Sequence, residues 1–212
     1  MAGKKGTIVI DPGHGGSAEV GGSSHNNARS PSGVLEKNLT LRMAFLVREA
    51  LQHAATIGGH TVKIILTRET DKNLGLAARA RVAKDNSADL FLCIHFNASE
   101  THKARGVETL VDRKTRPNPK HAADVGFAQK VQTAVFNAIK AHDPKTRDRG
   151  VKDQGLMVLN HAHLGSKARG CLCEVEFLDH PAADELLNLG LNATQVRQDI
   201  ATAMANALIA AL

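Results

Sequence analysis

Aromatic side chains are scarce in this chain of 212 residues. It contains no tryptophan and no tyrosine, and phenylalanine occurs only 6 times. The composition therefore argues against a protein that binds single-stranded nucleic acid or sugars by stacking them on aromatic rings. Hydrophobic residues nevertheless make up 42% of the chain, which is enough for a mainly aliphatic core.

Cysteine is also rare, and its number is odd. Cys93, Cys171 and Cys173 each lie in an apolar run, which predicts reduced thiols in the core and not a disulfide framework. One residue separates Cys171 from Cys173, whereas common zinc knuckles space their cysteines by at least two. The pair is therefore a weak candidate for a metal site.

No long apolar segment follows the basic start of the chain. The first apolar run spans only residues 7–10 before Asp11 and Pro12. Such a run is too short for a signal peptide or for a membrane-spanning helix. We therefore expect no signal peptide and no insertion into a membrane.

Positive charge is in excess, although no dense basic cluster accompanies it. Lysine and arginine total 27 and the acidic residues 21, so the net charge is +6 and the isoelectric point is about 9.4. This excess favours an anionic partner. Nucleic acid, an acidic lipid surface and an anionic cell-wall polymer all satisfy it.

Segments with the periodicity of strands alternate with segments that have the periodicity of helices. We predict strands over residues 7–10, 62–66, 88–95, 106–111, 156–159 and 171–175. We predict helices over residues 38–57, 74–86, 122–141 and 193–212. The alternation predicts an α/β fold, a three-layer sandwich whose central, largely parallel mixed sheet of about six strands is flanked by helices. The length and the absence of a linker predict a single domain over residues 1–212.

Two segments are predicted to be loops. Residues 17–33 are rich in glycine, serine and asparagine. Compact domains rarely contain a loop of this length without a use, so we expect it to flank a functional site. Residues 112–121 are basic and contain proline, and we predict a loop there as well.

The motif Asp-Pro-Gly-His-Gly-Gly at residues 11–16 directly follows the first predicted strand. Proline cannot continue a sheet ladder, and glycine allows backbone angles that other residues avoid. We therefore expect His14 on a tight turn at the edge of the sheet. By itself, such a histidine is either a catalytic or metal-binding group or an ordinary loop residue.

Other metal-ligating side chains are predicted at the same edge, where open α/β sheets bind ligands. Glu36 precedes the first helix, His95 ends the third strand and Glu174 lies late in the last strand. Two histidines and one glutamate are a common ligand set of catalytic zinc, which keeps a fourth position for water. His14, Glu36 and His95 would supply this set, and Glu174 or Glu176 would take the proton of the water. Residues two apart in a strand share a face, so we expect both glutamates to reach the site.

Each of these residues also has a simpler explanation. Glu36 would stabilise the helix N-terminus, His95 would be a hydrogen-bonded strand end, and Glu174 would be half of a buried ion pair. Competing motifs lack support: residues 13–18 fit a dinucleotide-binding pattern, but a polar loop follows where that motif needs a helix. The chain has neither a His-Glu-x-x-His nor a Gly-x-Ser-x-Gly motif.

Taken together, the motifs resemble the zinc-dependent N-acetylmuramoyl-L-alanine amidases, the catalytic domains of cell-wall hydrolases and phage endolysins. The matching segments follow the order of that family and span nearly the whole chain. They are residues 8–16 (IVIDPGHGG), 35–39 (LEKNL), 66–68 (LTR), 94–98 (IHFNA), 106–109 (GVET), 149–152 (RGVK) and 174–178 (EVEFL).

The resemblance implies that His14, Glu36 and His95 bind Zn²⁺ and that Glu174 is the catalytic base and then the acid. It also implies that the substrate is peptidoglycan, cleaved at the amide between the lactyl group of N-acetylmuramic acid and the L-alanine of the stem peptide. Asn97 is expected to contact the substrate or a metal ligand. We accordingly expect a bacteriolytic enzyme that is a monomer and has no nucleic-acid partner.

Some features depart from the family pattern. Glu176 stands where a small residue is more usual, and Asp-His at residues 179–180 replaces a common Ser-Asn, which would alter the rim of the cleft. His25 is a candidate for an additional ligand. Regulated members contain an inserted helix that blocks the site, and residues 112–121 are too few for it.

Two alternatives and two origins stay open at this point. The alternatives to the amidase are a non-catalytic, zinc-containing module that binds the cell wall and a zinc hydrolase of another amide. If it is the expected enzyme, it is either a phage lysin made in the cytoplasm and released to the wall, or a domain excised from an exported bacterial precursor.

Overall fold

The computed structural model describes residues 3–114 and 118–212. Within these residues, six strands form one sheet in the order β2-β1-β3-β6-β4-β5. The strands are β1 (Lys5–Pro12), β2 (Thr61–Leu66), β3 (Leu90–Asn97), β4 (Val107–Val111), β5 (Asp148–Asp153) and β6 (Arg169–Phe177).

Helices cover both faces of this sheet. They are α1 (Glu36–Ile57), α2 (Leu76–Asp85), α3 (His121–His142), α4 (His161–Leu164), α5 (Pro181–Asp184) and α6 (Ala193–Ala211). A 3₁₀ turn at Met157–Leu159 and a π-helical turn at Glu185–Leu189 complete the described elements. No helix in residues 3–114 and 118–212 is long and apolar enough to cross a membrane.

The sheet is mixed, and its topology places the carboxyl ends of β1, β2, β3 and β6 at the same edge. β1 is parallel to β2 and β3, and β3 is parallel to β6. β4 is antiparallel to β6, and β5 is parallel to β4. Because β4 runs in the opposite direction, its first residues lie beside the last residues of β6. The three-layer α/β sandwich predicted from the sequence is confirmed.

Each face of the sheet has its own apolar core. On one face, Ile8, Ile10 and other strand residues pack against α1, α3 and α6. On the opposite face, Val9 and Phe91 pack against α2, the 3₁₀ turn and α4. The alternation of consecutive β1 residues between these cores is the expected period of two. All three cysteines are buried and free, as the apolar context predicted.

The prediction of a strand over residues 156–159 is wrong. Leu156, Val158 and Leu159 instead pack on the second core from a 3₁₀ turn and its preceding residue. The sixth strand is β5, whose sequence DRGVKD is polar and mostly exposed at the edge of the sheet. A short apolar run does not distinguish a strand from another buried turn, and an edge strand exposed to water needs no apolar pattern.

The loop predictions have separate outcomes. Residues 17–33 contain no helix or strand apart from isolated bridges, and residues 112–114 and 118–120 also lie outside such elements. Residues 115–117 lie outside the described residues. The expectation that segment 112–121 is a loop without an inserted helix therefore stays a prediction. The helical turns at residues 181–189 were not predicted.

We expect Ile200→Ala to lower the free energy of unfolding by about 2–5 kcal/mol, because Ile200 is fully buried in the core beneath α6. Thr202→Ala, on the exposed side of the same helix, is the matched control and should change it by less than about 0.5 kcal/mol. Chemical denaturation followed by circular dichroism measures both. Equal effects would contradict this description of the core.

Asp184 provides a prediction on pH. Its carboxylate accepts hydrogen bonds from the amide and hydroxyl of Ser32, at 2.6 and 2.8 Å, and from Asn188 at 2.8 Å. Burial raises the pKa of Asp184, but these hydrogen bonds outweigh burial and the pKa is lower than usual. The carboxylate therefore stabilises the fold above the ordinary aspartate pKa of about 3.9, and this contribution is lost as the pH falls through the lower folded value.

The difference in unfolding free energy between the wild type and Asp184→Asn should accordingly be largest above about pH 5 and shrink below about pH 4. Urea denaturation across pH 3–7 measures it. Glu185→Gln, at the exposed neighbouring position, is the control for a general loss of negative charge. A difference that is independent of pH would refute the prediction.

Candidate metal centre

His14 lies on a tight turn that directly follows β1. Its backbone φ is 60°, in the left-handed region that residues other than glycine rarely adopt. Gly13 packs against the ring of His95, since a Cβ at residue 13 would lie 2.3 Å from His95 Nε2. The amide of Gly13 donates to the carbonyl oxygen of Ile94 at 3.0 Å. The turn thus brings the two imidazoles together, with their ring centroids 4.7 Å apart.

Glu36, the first residue of α1, lies between the two histidines. Its Oε2 is 3.1 Å from His14 Nε2, and its Oε1 is 2.9 Å from His95 Nδ1. The backbone amides of Ala28 and Phe96 donate to the same carboxylate at 2.9 and 3.1 Å. Only 1% of Glu36 is exposed. The start of α1, the polar loop and β3 therefore converge on one buried carboxylate.

The ring of His14 faces Glu36, and its Nε2 is available to bind a ligand. Its Nδ1 lies 3.0 Å from both the carbonyl oxygen and the Oγ of Ser24. Its Nε2 is buried, and no described residue makes a hydrogen bond of good geometry to it. Donor atoms of His14, Glu36 and His95 lie within 4.8 Å of one another. Two imidazoles and one carboxylate at this spacing fit a divalent transition metal.

The charges of the cluster favour a cation. Burial raises the pKa of Glu36, but its close contacts with His14 and His95 outweigh burial and hold the pKa well below its usual range. Burial lowers the pKa of His14, but the carboxylate of Glu36 in contact with its ring outweighs burial and the pKa is raised. Both shifts show that Glu36 stabilises positive charge at this position, where a metal ion would replace the proton.

Glu174 lies beside this cluster on the floor of the site. It is the direct neighbour of His95 across the β3–β6 pair and of Glu108 across the β4–β6 pair. Its Oε2 is buried, with no hydrogen-bond partner in the described part of the chain. Burial raises the pKa of Glu174 well above its usual range, and the charges of Glu36 and Glu108 raise it further. Such a carboxyl is suited to holding and releasing a proton.

Glu108 is a site residue to which sequence reasoning assigned no role. Its carboxylate accepts from Arg149 Nε at 2.7 Å, Lys152 Nζ at 2.5 Å and Asn97 Nδ2 at 3.0 Å. Asn97 therefore contacts Glu108 and not a metal ligand in this structure. The sequence signal that could have found Glu108 is its place near the start of a predicted strand. That signal is of use only when the direction of the strand in the sheet is known.

A cavity of about 330 Å³ opens above these residues. Its polar wall contains the two histidines, Glu174, Glu108 and Asn97, together with Ser23, Ser24 and Asn27 of the loop at residues 17–33. Its apolar wall is formed by Leu76, Leu110, Leu156, Met157, Val158 and Leu172. The prediction that the long polar loop flanks the site is thus confirmed.

The expectation that Glu176 reaches the same site as Glu174 is wrong. The β3–β6 register shifts so that Val175 and Glu176 together lie opposite Phe96, which is the geometry of a β-bulge. Glu176 is fully buried away from the cavity, and its carboxylate accepts from the amide of Gly106 at 2.5 Å. The further donors to this carboxylate are Thr146 Oγ1 at 3.1 Å, Arg105 Nη2 at 3.2 Å and the amide of Phe177 at 3.0 Å.

Three other residues that were expected near the site lie away from the cavity. His25 is exposed and lies outside the donor cluster found in residues 3–114 and 118–212; its carbonyl oxygen accepts from Gly15. Asp179 accepts from the amide of Ser99 at 2.9 Å, and His180 caps α5. Asp179 and His180 therefore shape neighbouring backbone and do not line the cleft.

Relatives in sequence cover most of this chain. A germination-specific N-acetylmuramoyl-L-alanine amidase of Bacillus subtilis is 26% identical over 196 residues, which are 85% of this chain and 70% of that protein. A probable cell wall amidase, LytH of Staphylococcus epidermidis, is 29% identical and is matched over 92% of this chain and 55% of its own length. An endolysin of Bacillus phage SPP1 is 30% identical over 85% of this chain and 58% of its own length. The chain thus spans only about half the length of several relatives.

Solved structures agree with the fold, and a family comparison identifies the family. A crystal structure of an N-acetylmuramoyl-L-alanine amidase from Clostridium difficile 630 superposes with a TM-score of 0.77 at 25% identity, covering 98% of this chain and 96% of that one. The catalytic domain of CwlV, an N-acetylmuramoyl-L-alanine amidase from Bacillus (Paenibacillus) polymyxa, gives a TM-score of 0.70 at 25% identity, with 96% of both chains covered. The N-acetylmuramoyl-L-alanine amidase family matches residues 8–210. The chain therefore belongs to the N-acetylmuramoyl-L-alanine amidase family.

Proposed function

We propose that this protein hydrolyses peptidoglycan at the amide between the lactyl group of N-acetylmuramic acid and the L-alanine of the stem peptide, as a zinc enzyme. One observation carries the proposal: the two histidines of a His-Glu-His cluster line the same cavity as Glu174, a buried carboxyl whose Oε2 finds no partner in the described residues. Membership of the amidase family supplies the substrate class.

His14, Glu36 and His95 would hold the metal. Zn²⁺ commonly takes two histidines and one glutamate in hydrolytic sites and keeps a further position open. When bound, Zn²⁺ would polarise the amide carbonyl and lower the pKa of a water molecule. The amides of Ala28 and Phe96 orient the carboxylate of Glu36, and the oxygens of Ser24 orient the ring of His14, as outer hydrogen bonds orient ligands in metalloproteins.

Glu174 would move the proton. Its buried Oε2 accepts a proton from the attacking water and then donates it to the alanine nitrogen as the amide breaks. Burial, together with the charges of Glu36 and Glu108, raises the pKa of Glu174, which makes the protonated form accessible for the second step. The bond between the lactyl carbon and the nitrogen is broken, water supplies the oxygen of the new carboxylate, and the amine leaves with the proton.

The net charge of the chain and the identity of its relatives support a cell-wall polymer as partner. The net charge of +6 favours association with an anionic cell wall. Both expected origins have counterparts among the relatives, since these include a phage endolysin and bacterial cell-wall amidases. The proposal includes that the protein acts on the cell wall after its release from the cytoplasm or from a precursor, and that it does so as a monomer.

The release of new N-terminal alanine from purified peptidoglycan tests this function. Alanine amines should appear with the zinc-loaded protein, vanish after removal of the metal by a chelator and return on addition of zinc. Dinitrophenyl labelling followed by chromatography identifies the new ends. New N-terminal residues other than alanine would refute the proposed cleavage site and leave a zinc hydrolase of another bond. If the protein binds zinc and peptidoglycan but releases no new N-termini, the wall-binding module is favoured.

The two neighbouring glutamates separate catalysis from structure. Glu174→Gln should lower kcat by about 10²–10⁴-fold with zinc still bound, because the proton carrier is lost. Glu176→Gln should leave kcat of the folded protein within a few-fold but lower the free energy of unfolding by about 1–3 kcal/mol, because a buried carboxylate with four donors is replaced by an amide. The reverse pattern of kcat values would assign the catalytic role to Glu176.

A further inference from the structure

Arg79 is an arginine of α2 that is only 1% exposed and lies beneath the turn that carries His14. Its three guanidinium nitrogens make five hydrogen bonds. Their acceptors are Leu74 O at 2.9 Å from Nε, Asp11 Oδ1 at 2.9 Å and Pro12 O at 2.8 Å from Nη1, and His14 O at 2.6 Å and Asn73 Oδ1 at 3.0 Å from Nη2. The guanidinium therefore has no donor to spare for a ligand and serves the fold of this turn.

The turn needs such support because its backbone is unfavourable without it. His14 has a φ of 60°, which an L side chain rarely adopts. Arg79 holds the carbonyl oxygens of residues 12 and 14, and a second buried arginine, Arg68, donates to Pro12 O at 3.0 Å and to Gly13 O at 2.8 Å. Three successive carbonyls thus point at two guanidinium groups, so the direction of the His14 side chain depends on them.

Asn73 extends the same network to the ring of His14. Its Oδ1 accepts from Arg79 and from Ser23 Oγ at 2.9 Å, and its Nδ2 donates to Ser23 O at 2.7 Å and to Ala18 O at 2.9 Å. The residue after Ser23 is Ser24, whose oxygens lie 3.0 Å from His14 Nδ1. One chain of contacts therefore fixes both the backbone of His14 and the loop that orients its imidazole.

The positive charge of Arg79 is paired with a buried carboxylate. Asp11 is fully buried and its Oδ1 lies 2.9 Å from Arg79 Nη1. The remaining partners of this carboxylate are Thr67 Oγ1 and Cys93 Sγ. Asp11 therefore offsets part of the charge of Arg79 beside the His14 turn.

We propose that Arg79, acting with Asn73, is the positioning residue of the metal centre: it holds His14 so that Nε2 faces the metal, and zinc affinity depends on it. The inference rests on the part of the proposed function that makes His14 a zinc ligand. It is independent of the bond that the enzyme cleaves.

Arg79→Lys tests the proposal, since lysine keeps the charge but cannot reach several carbonyl oxygens at once. The zinc Kd, measured by competition with a chromophoric chelator, should rise about 10–100-fold, as for other residues that orient metal ligands. The visible absorption spectrum of the Co²⁺-substituted protein should change as well, because a displaced His14 alters the coordination. Arg81→Lys, at an exposed position of the same helix, is the matched control and should leave Kd and spectrum unchanged.

Asn73→Ala is the second variant, and it decides the matter if Arg79→Lys does not fold. It removes the link to Ser23 while the contact from Arg79 to the His14 carbonyl remains, so a smaller rise in zinc Kd is expected. A folded Arg79→Lys or Asn73→Ala protein with wild-type Kd and Co²⁺ spectrum would overturn the proposal and leave a role in stability alone. A wild-type protein that binds no zinc would overturn it together with the metal assignment, whereas zinc binding without release of alanine ends would refute only the amidase function.

Discussion

A carboxylate shared by two imidazoles is the interaction on which the site depends. Glu36 contacts His14 and His95 and accepts two backbone amides while almost completely buried. Such a carboxylate is costly to bury unless its charge is compensated. That requirement explains why Gly13 leaves room for the ring of His95, and why the left-handed turn at His14 is maintained. A cation bound at this position would meet the same requirement.

Buried ion pairs support this arrangement on two sides. The Asp11–Arg79 pair lies beneath the His14 turn, and the Arg105–Glu176 pair holds the start of β4 against β6. Replacing such pairs by apolar residues often stabilises a protein, so their value lies in the geometry that they specify. Here the specified geometry is the position of His14 in one case, and in the other the position of β4, the strand that contains Glu108.

Sheet direction and one β-bulge decide which acids face the cavity. Because β4 is antiparallel to β6, Glu108 lies beside Glu174 and adds its charge to the environment that raises the pKa of Glu174. The bulge at Val175 and Glu176 breaks the alternation of β6 and directs Glu176 to a separate set of donors. Two glutamates that are two residues apart therefore have different surroundings: Glu174 lines the cavity, and Glu176 is buried among hydrogen-bond donors from neighbouring segments.

The sequence by itself determined the α/β sandwich, its apolar strands and long helices, and the candidates His14, Glu36, His95 and Glu174, because hydrophobic period and strand-end motifs are local signals. Only the tertiary structure decided the rest. The edge strand β5 is polar, so burial leaves no pattern in its residues. The roles of Glu108, Glu176 and Arg79 depend on strand direction, a register shift and contacts more than sixty residues apart along the chain. These are long-range relations, and a linear pattern of residue types does not contain them.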